Sequence, residues 1–245
     1  MIDRPGHLQA NVVRIDAVLS LEDAGLTRGY ESGEVGRVLC GGLDYVLKRP
    51  IPTNPTQAVA EAIGYWFAAR ARAPVPDHDL VRDPRGEIVF GSLAVRDFKP
   101  LGSARIATQV HVEALSRIFA VDLLLSNVDR HMKNYVIGPP DDARLLAIDF
   151  GRGIPFDDRH LSAGGVPQRS NTADTAHELD RNGLLDRELA VQVLDELATT
   201  PLENFEALLD KLPSEMLGAQ LRNGLLDWRR NLFEQTVQRA IAQAL

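Results

Sequence analysis

The stretch Ala120 to Gly153, AVDLLLSNVDRHMKNYVIGPPDDARLLAIDFGRG, constrains this chain more than any other part of it. Two short polar clusters lie in it, each directly behind an apolar run. Asp129-Arg130-His131-Met132-Lys133-Asn134 follows Val121 to Leu125, and Asp149-Phe150-Gly151 follows the strand-like Leu145 to Ile148. An aspartate five residues ahead of an asparagine, then Asp-Phe-Gly behind a short strand, is the polar apparatus of ATP-dependent phosphoryl transfer.

The chemistry explains the spacing. A γ-phosphoryl group carries its charge on its oxygens, so a protein mainly positions it and neutralises it with Mg²⁺. Asp149 is the expected metal carboxylate at the β- and γ-phosphates, and the amide oxygen of Asn134 the expected second metal ligand. Asp129 is expected to orient the acceptor hydroxyl and accept its proton. Magnesium takes hard oxygen ligands from one or two carboxylates, phosphates and water, which suits this set. The alternative for each cluster alone is a turn or cap, where Asp and Asn are common. The two clusters together, in this order, favour the phosphotransferase reading.

The order Asp-Arg-His-x-x-Asn followed by Ile-Asp-Phe-Gly resembles phosphoinositide kinases and the bacterial HipA-like kinases. Conventional protein kinases place His-Arg before the aspartate, whereas Arg130 and His131 follow it here. The longer run Phe119 to His131, FAVDLLLSNVDRH, is most similar to the HipA-like group. The resemblance covers about residues 12–160. It implies a two-lobed α+β kinase-like fold, with a small sheet and one helix near residues 1–100 and a mostly helical lobe near 101–245. It also implies ATP- and Mg²⁺-dependent transfer to serine or threonine of a protein. Members often act within toxin–antitoxin systems, so an antitoxin or other regulatory partner is implied too. The chain is expected to lack the amino-terminal subdomain of full-length members.

Composition narrows the classes further. An apolar fraction of 44% in 245 residues is ample for a core, in one large domain or two lobes. The single cysteine, Cys40, cannot form an internal disulfide, which suits a reducing, cytoplasmic setting. No basic-then-apolar leader opens the chain, and no apolar run approaches membrane-spanning length. A net charge of −7 speaks against a general nucleic-acid coat.

In the amino-terminal part, Asn11 to Leu19 reads as one β-strand. The loop Ser20 to Gly33 follows, carrying Gly25-Leu26-Thr27-Arg28-Gly29 and Ser32-Gly33. Glu34 to Cys40 and Asp44 to Arg49 read as strands joined by a Gly41-Gly42 turn. Thr27, Arg28 and Gly29 are candidates to cover nucleotide phosphates, with a plain surface turn as the alternative. Some HipA-like kinases are similar to one another in phosphorylating a serine of this loop. Ser32, flanked by Glu31 and Glu34, is the candidate counterpart here, with an ordinary turn serine as the alternative. Tyr45-Val46-Leu47-Lys48 resembles the strand of the kinase family whose lysine holds the α- and β-phosphates. Asn54 to Arg72 has helical spacing, and Glu61 on it is the natural partner for Lys48, unless it simply faces solvent.

His78 to Arg82 and Glu87 to Phe90 read as strands around Asp83-Pro84-Arg85-Gly86. Leu93 to Leu101 is the expected crossing to the second lobe, with its backbone toward adenine and Phe98 packing or stacking there. Thr108 to Ser126 is helical in pattern. Asp122 interrupts its apolar face, and a buried acid needs partners, expected in the catalytic loop. Arg130 and His131 are expected to shape that loop rather than touch the phosphoryl group. Ile154 to His177 reads as a loop of mixed charge without a Lys/Arg run, which weighs against a lipid acceptor. From Glu178 onward the pattern is helical, and the last helix is expected to bury Leu217, Leu221, Leu225, Trp228, Leu232, Val237 and Ile241 on one stripe. A kinase of a small molecule or lipid headgroup, and a nucleotide-binding pseudokinase or interaction module, are the alternatives to a protein kinase.

Overall fold

The computed structural model describes residues 13–14, 17–19, 35–40, 43–48, 55–82, 88–95, 97–139, 141–153 and 165–245. The phosphate-loop candidates Thr27, Arg28 and Gly29, and Ser32 with them, lie outside the described residues.

The fold is α+β, two small and mostly antiparallel sheets followed by mostly helical chain. Strands β1 (Val13–Arg14), β2 (Ala17–Leu19), β3 (Val35–Cys40), β4 (Leu43–Lys48), β5 (His78–Arg82) and β6 (Ile88–Leu93) form one sheet in the order β1-β5-β6-β4-β3-β2. The β3–β4 hairpin pairs Cys40 with Leu43, the register of a two-residue connection. The single strand expected over Asn11 to Leu19 is instead two short ones. Val13–Arg14 pairs parallel with β5, whereas Ala17–Leu19 pairs antiparallel with β3. The two thus sit on opposite edges of the sheet. Three residue steps from Arg14 to Ala17 span at most roughly 11 Å. The six strands must therefore curl until their two edges come near one another, and both edge strands are short, two and three residues.

Helix α1 (Gln57–Arg70) is rich in alanine, a strong helix former, and is buried on every side from Gln57 to Ala68. Its two ends serve different neighbours. Tyr65 packs against Phe90 of β6 with ring centroids 4.9 Å apart. Phe67 stacks on Phe233 at 6.0 Å, and Trp66 meets Phe205 edge-on at 5.6 Å. The helix therefore joins the curled sheet to the carboxy-terminal helices through one continuous core.

Past β6 the chain enters a second sheet, in the order β7 (Lys99–Pro100), β8 (Tyr135–Ile137), β9 (Leu145–Ala147). Between β7 and β8 runs α2 (Val112–Leu124), entered through a 3-10 turn, Gln109–His111, whose capping box has the Thr108 backbone N–H donating to His111 Nδ1 at 2.9 Å. The loop expected over Ile154 to His177 is overrun by α3 (Asn171–Arg181), capped by Ser170, whose hydroxyl accepts from the Ala173 N–H. Its buried face is Thr172, Thr175, Ala176 and Leu179, too polar to register as an apolar stripe. Helices α4 (Arg187–Ala198), α5 (Leu202–Lys211), α6 (Ala219–Asp227) and α7 (Phe233–Ala244) complete the chain.

The expected stripe on the last helix is also corrected. A π-helical turn, Trp228–Leu232, separates α6 from α7. Its wider turn moves the next buried position from Leu232 to Phe233, so Trp228 and Phe233 face inward together at 5.2 Å. Leu221, Leu232 and Ile241 are left half-buried, and Leu217 lies ahead of α6. Among the described residues no helix is long and apolar enough to cross a membrane.

Behind α1, the His78 ring sits between Tyr65 (4.8 Å) and Phe90 (5.7 Å), and its Nδ1 is buried without a partner. Burial lowers its pKa to about 4, against the opposing pull of the Pro76 carbonyl and Asp77. A base with a depressed folded pKa leaves the unfolded chain holding more protons between the two values. Its stabilisation is therefore complete above about pH 6.5 and is lost as pH falls toward 4. His78→Phe should remove a pH-dependent loss of up to about 3 kcal/mol in that window. Denaturant midpoints of wild type and variant at pH 7 and pH 4.5 check this.

Candidate active site

Five of the residues singled out by sequence, Lys48, Glu61, Asp129, Asn134 and Asp149, fall within one connected region. Lys48 ends β4 and reaches Asp149 Oδ1 at 3.2 Å and Glu61 Oε1 at 3.8 Å. The aspartate is thus the nearer partner. Glu61 spends its two oxygens elsewhere, accepting from the backbone N–H of Phe150 and of Gly151, both at 3.0 Å. It is a clamp on the Asp-Phe-Gly backbone as much as a counter-ion. The close approach depends on Gly64, since a Cβ there would lie 2.3 Å from the Phe150 side chain. Asp149 takes a left-handed backbone conformation, φ +65°, uncommon for a residue with a side chain and frequent at functional sites.

The charges are arranged unequally. Burial raises the Glu61 carboxyl to about 7, with Lys48 opposing and Asp149 adding to the rise. Burial acts on Asp149 in the same direction, but Lys48 outweighs it and holds the carboxyl below its usual range. Lys48 is itself pulled down by burial, and the two carboxylates more than offset that, leaving it raised. Asp149 is therefore the firmly ionised carboxylate of the pair at neutral pH.

Arg130 is the hub beneath the site. It is 1% exposed and forms a two-pronged pair with Asp122, Nε to Oδ2 at 2.8 Å and Nη2 to Oδ1 at 3.0 Å. Its Nη1 donates to the carbonyl of Asn134 at 3.1 Å and to that of Ile148. The guanidinium also lies 4.5 Å from the centre of the Phe150 ring. Asp122 accepts from Asn127 Nδ2 at 2.7 Å as well. One buried ion pair thus ties the end of α2, the loop carrying Asp129 and Asn134, and the backbone entering Asp149.

Asn134 donates its Nδ2 to the Asp129 carbonyl at 3.0 Å, which leaves its Oδ1 for a cation. Asp129 is half-buried, and its Oδ1 accepts from Asn171 Nδ2 at 2.6 Å. The next residue, Thr172, donates its hydroxyl to the Asn127 carbonyl and accepts the Arg130 N–H at 3.0 Å. The start of α3 is thereby bolted to the loop from a distance of 42 residues. Sequence reasoning missed Asn171 and Thr172; Ser170 with Asp174 in the first turn is the capping signal that could have placed the helix start.

Two cavities meet here. One of about 410 Å³ is walled by Val46, Leu93, Ala94, Val95, Val136 and Ile148, with Phe98 among its linings and Lys48, Glu61 and Asp149 as its charged groups. The other, about 740 Å³ and more open, is lined by Asp129, His131, Asp149, Arg152, Arg169 and Asn171 among others. Asp149 belongs to both.

No protein-family model and no curated protein matches this chain. Solved structures do. The Helicobacter pylori proinflammatory kinase CtkA superposes with a TM-score of 0.64 over 96% of this chain and 98% of that one, at 11% identity. A 618-residue amino-terminal fragment of Legionella pneumophila LepB gives 0.49 at 16% identity, over 83% of this chain and 43% of that one. Shewanella oneidensis HipA, solved with HipB and operator DNA, gives 0.47 at 13% identity, over 89% and 61%. At such identities the likeness speaks to architecture, and the similarity to CtkA along nearly its whole length establishes it: the chain has a kinase-like fold.

Proposed function

We propose that this chain is an ATP- and Mg²⁺-dependent phosphotransferase, a HipA-like kinase acting on serine or threonine of a protein. The observation that carries the reading is the position of Asp149 at the junction of the two cavities, 3.2 Å from Lys48. A cavity of that size with mostly apolar walls suits a flat base, with its charged groups left for phosphates.

The residues fit both cofactors. Lys48 is a partly buried cation for the α- and β-phosphates. Asp149 and the free Oδ1 of Asn134 are hard oxygen donors for magnesium. Among the described residues no three His, Cys, Asp or Glu side chains converge as a metal site, so phosphate and water would complete the coordination. Bound there, magnesium supplies positive charge against the phosphate oxygens. Asp129 acts on the acceptor side. Asn171 holds its Oδ1, which directs Oδ2 to the incoming hydroxyl and its proton. Glu61 keeps the Asp-Phe-Gly backbone in the conformation that presents Asp149.

Calorimetric titration with Mg-ATP tests the nucleotide half. Wild type should bind, and Asp149→Asn should bind at least about tenfold more weakly, since it removes the main metal carboxylate. Equal affinity in the two proteins would remove Asp149 from the nucleotide site.

A further inference from the structure

The open cavity on the far side of Asp149 carries charges that the phosphotransfer apparatus does not use. Arg152 stands just past Asp-Phe-Gly, and Arg169 just before the cap of α3. Both are exposed, both line the 740 Å³ cleft, and neither forms an ion pair or hydrogen bond among the described residues. Elsewhere on the surface Arg144 pairs with Asp142, Arg222 with Asp210 and Arg230 with Glu206, whereas Arg152 and Arg169 share one cleft. Two guanidinium groups that are unpaired among the described residues, on the same cleft as Asp129, offer an anionic group two cations.

We infer that the acceptor is a protein segment whose serine or threonine lies next to an acidic residue, with Arg152 and Arg169 gripping that residue while the hydroxyl meets Asp129. This rests on the phosphotransferase reading above and names the substrate class for the same site. The charge balance decides between a peptide and a lipid headgroup. Asp129, Asp149 and Asp174 line the same cleft, so its walls hold three carboxylates against two arginines. One acidic side chain matches Arg152 and Arg169. A polyphosphorylated headgroup would bring several more negative charges than the cleft has cations to meet them.

The test uses the purified full chain with Mg²⁺ and labelled ATP. Its acceptors are three synthetic serine peptides, flanked by Asp/Glu, by neutral residues or by Lys/Arg, and vesicles containing phosphatidylinositol phosphate. The acidic peptide should exceed the neutral one by about tenfold in kcat/KM, mostly through KM, and the basic peptide should be poorest. The preference should shrink at about 0.5 M salt. In Arg152→Glu/Arg169→Glu the order should reverse, a change that general damage to the fold would not produce. Equal labelling of the three peptides, or an equal loss on all three in the double variant, overturns this inference and leaves the kinase standing. Labelling of the vesicles in preference to every peptide overturns it in favour of a lipid headgroup. Labelling of no acceptor overturns it together with the protein-kinase reading beneath it.

Discussion

Asp129→Asn is expected to lower turnover by roughly 10²- to 10⁴-fold, the usual range for loss of a positioned general base. Mg-ATP affinity should stay within about threefold of wild type, because Asp129 faces the acceptor cleft and not the apolar cavity. The substitution is clean for a structural reason. Asparagine keeps a carbonyl oxygen at the position of Oδ1, so the bond from Asn171 survives and the start of α3 stays docked. The loss can then be assigned to the missing proton acceptor. Single-turnover kinetics with calorimetry on the same preparations reads both halves. A parallel loss of nucleotide binding would mean that Asp129 belongs to the metal site instead.

The second large effect is on stability. Arg130→Met leaves Asp122 buried at 0% exposure with its main counter-charge gone, and strips a donor from the carbonyls of Asn134 and Ile148. Breaking one side of a buried pair typically costs about 3–5 kcal/mol. In a chain of this size that corresponds to roughly 10 °C in midpoint. Removing both charges, in Asp122→Leu/Arg130→Met, should recover part of the loss, because no lone buried charge remains. Recovery should stay incomplete, since the two carbonyls still lack their donor. Thermal melts of the single and double variants measure this directly. A single variant within 1 °C or so of wild type would show that the pair contributes little to folding.

The parts of the site that could be read in the sequence are those carried by neighbours along the chain. Asp129, Asn134 and Asp149 stand within 20 residues of one another, and the hydrophobic runs ahead of them mark the elements that deliver them. Asp122 was legible for a different reason, a carboxylate on an otherwise apolar helix face that demanded a partner. Arg130 proves to be that partner, with Asn127 beside it. What could not be read depends on contacts at long range or on the backbone. Asn171 reaches Asp129 across 42 residues, from a helix whose buried face is half threonine. The clamp of Glu61 on Phe150 and Gly151 uses backbone N–H groups, which leave no mark on residue identity. The split of the first strand between two sheet edges follows from the strand order of the whole sheet. The π-helical turn at Trp228 breaks the very periodicity by which the last helix was recognised.

Transfer of phosphate at the meeting point of the two cavities is tested most directly by incubating the full chain with Mg²⁺ and γ-labelled ATP in a cell lysate. Label on serine or threonine of protein, present with wild type and absent with Asp149→Asn, is the predicted result. Saturable binding of Mg-ATP by wild type with no label in protein above the Asp149→Asn background would contradict it.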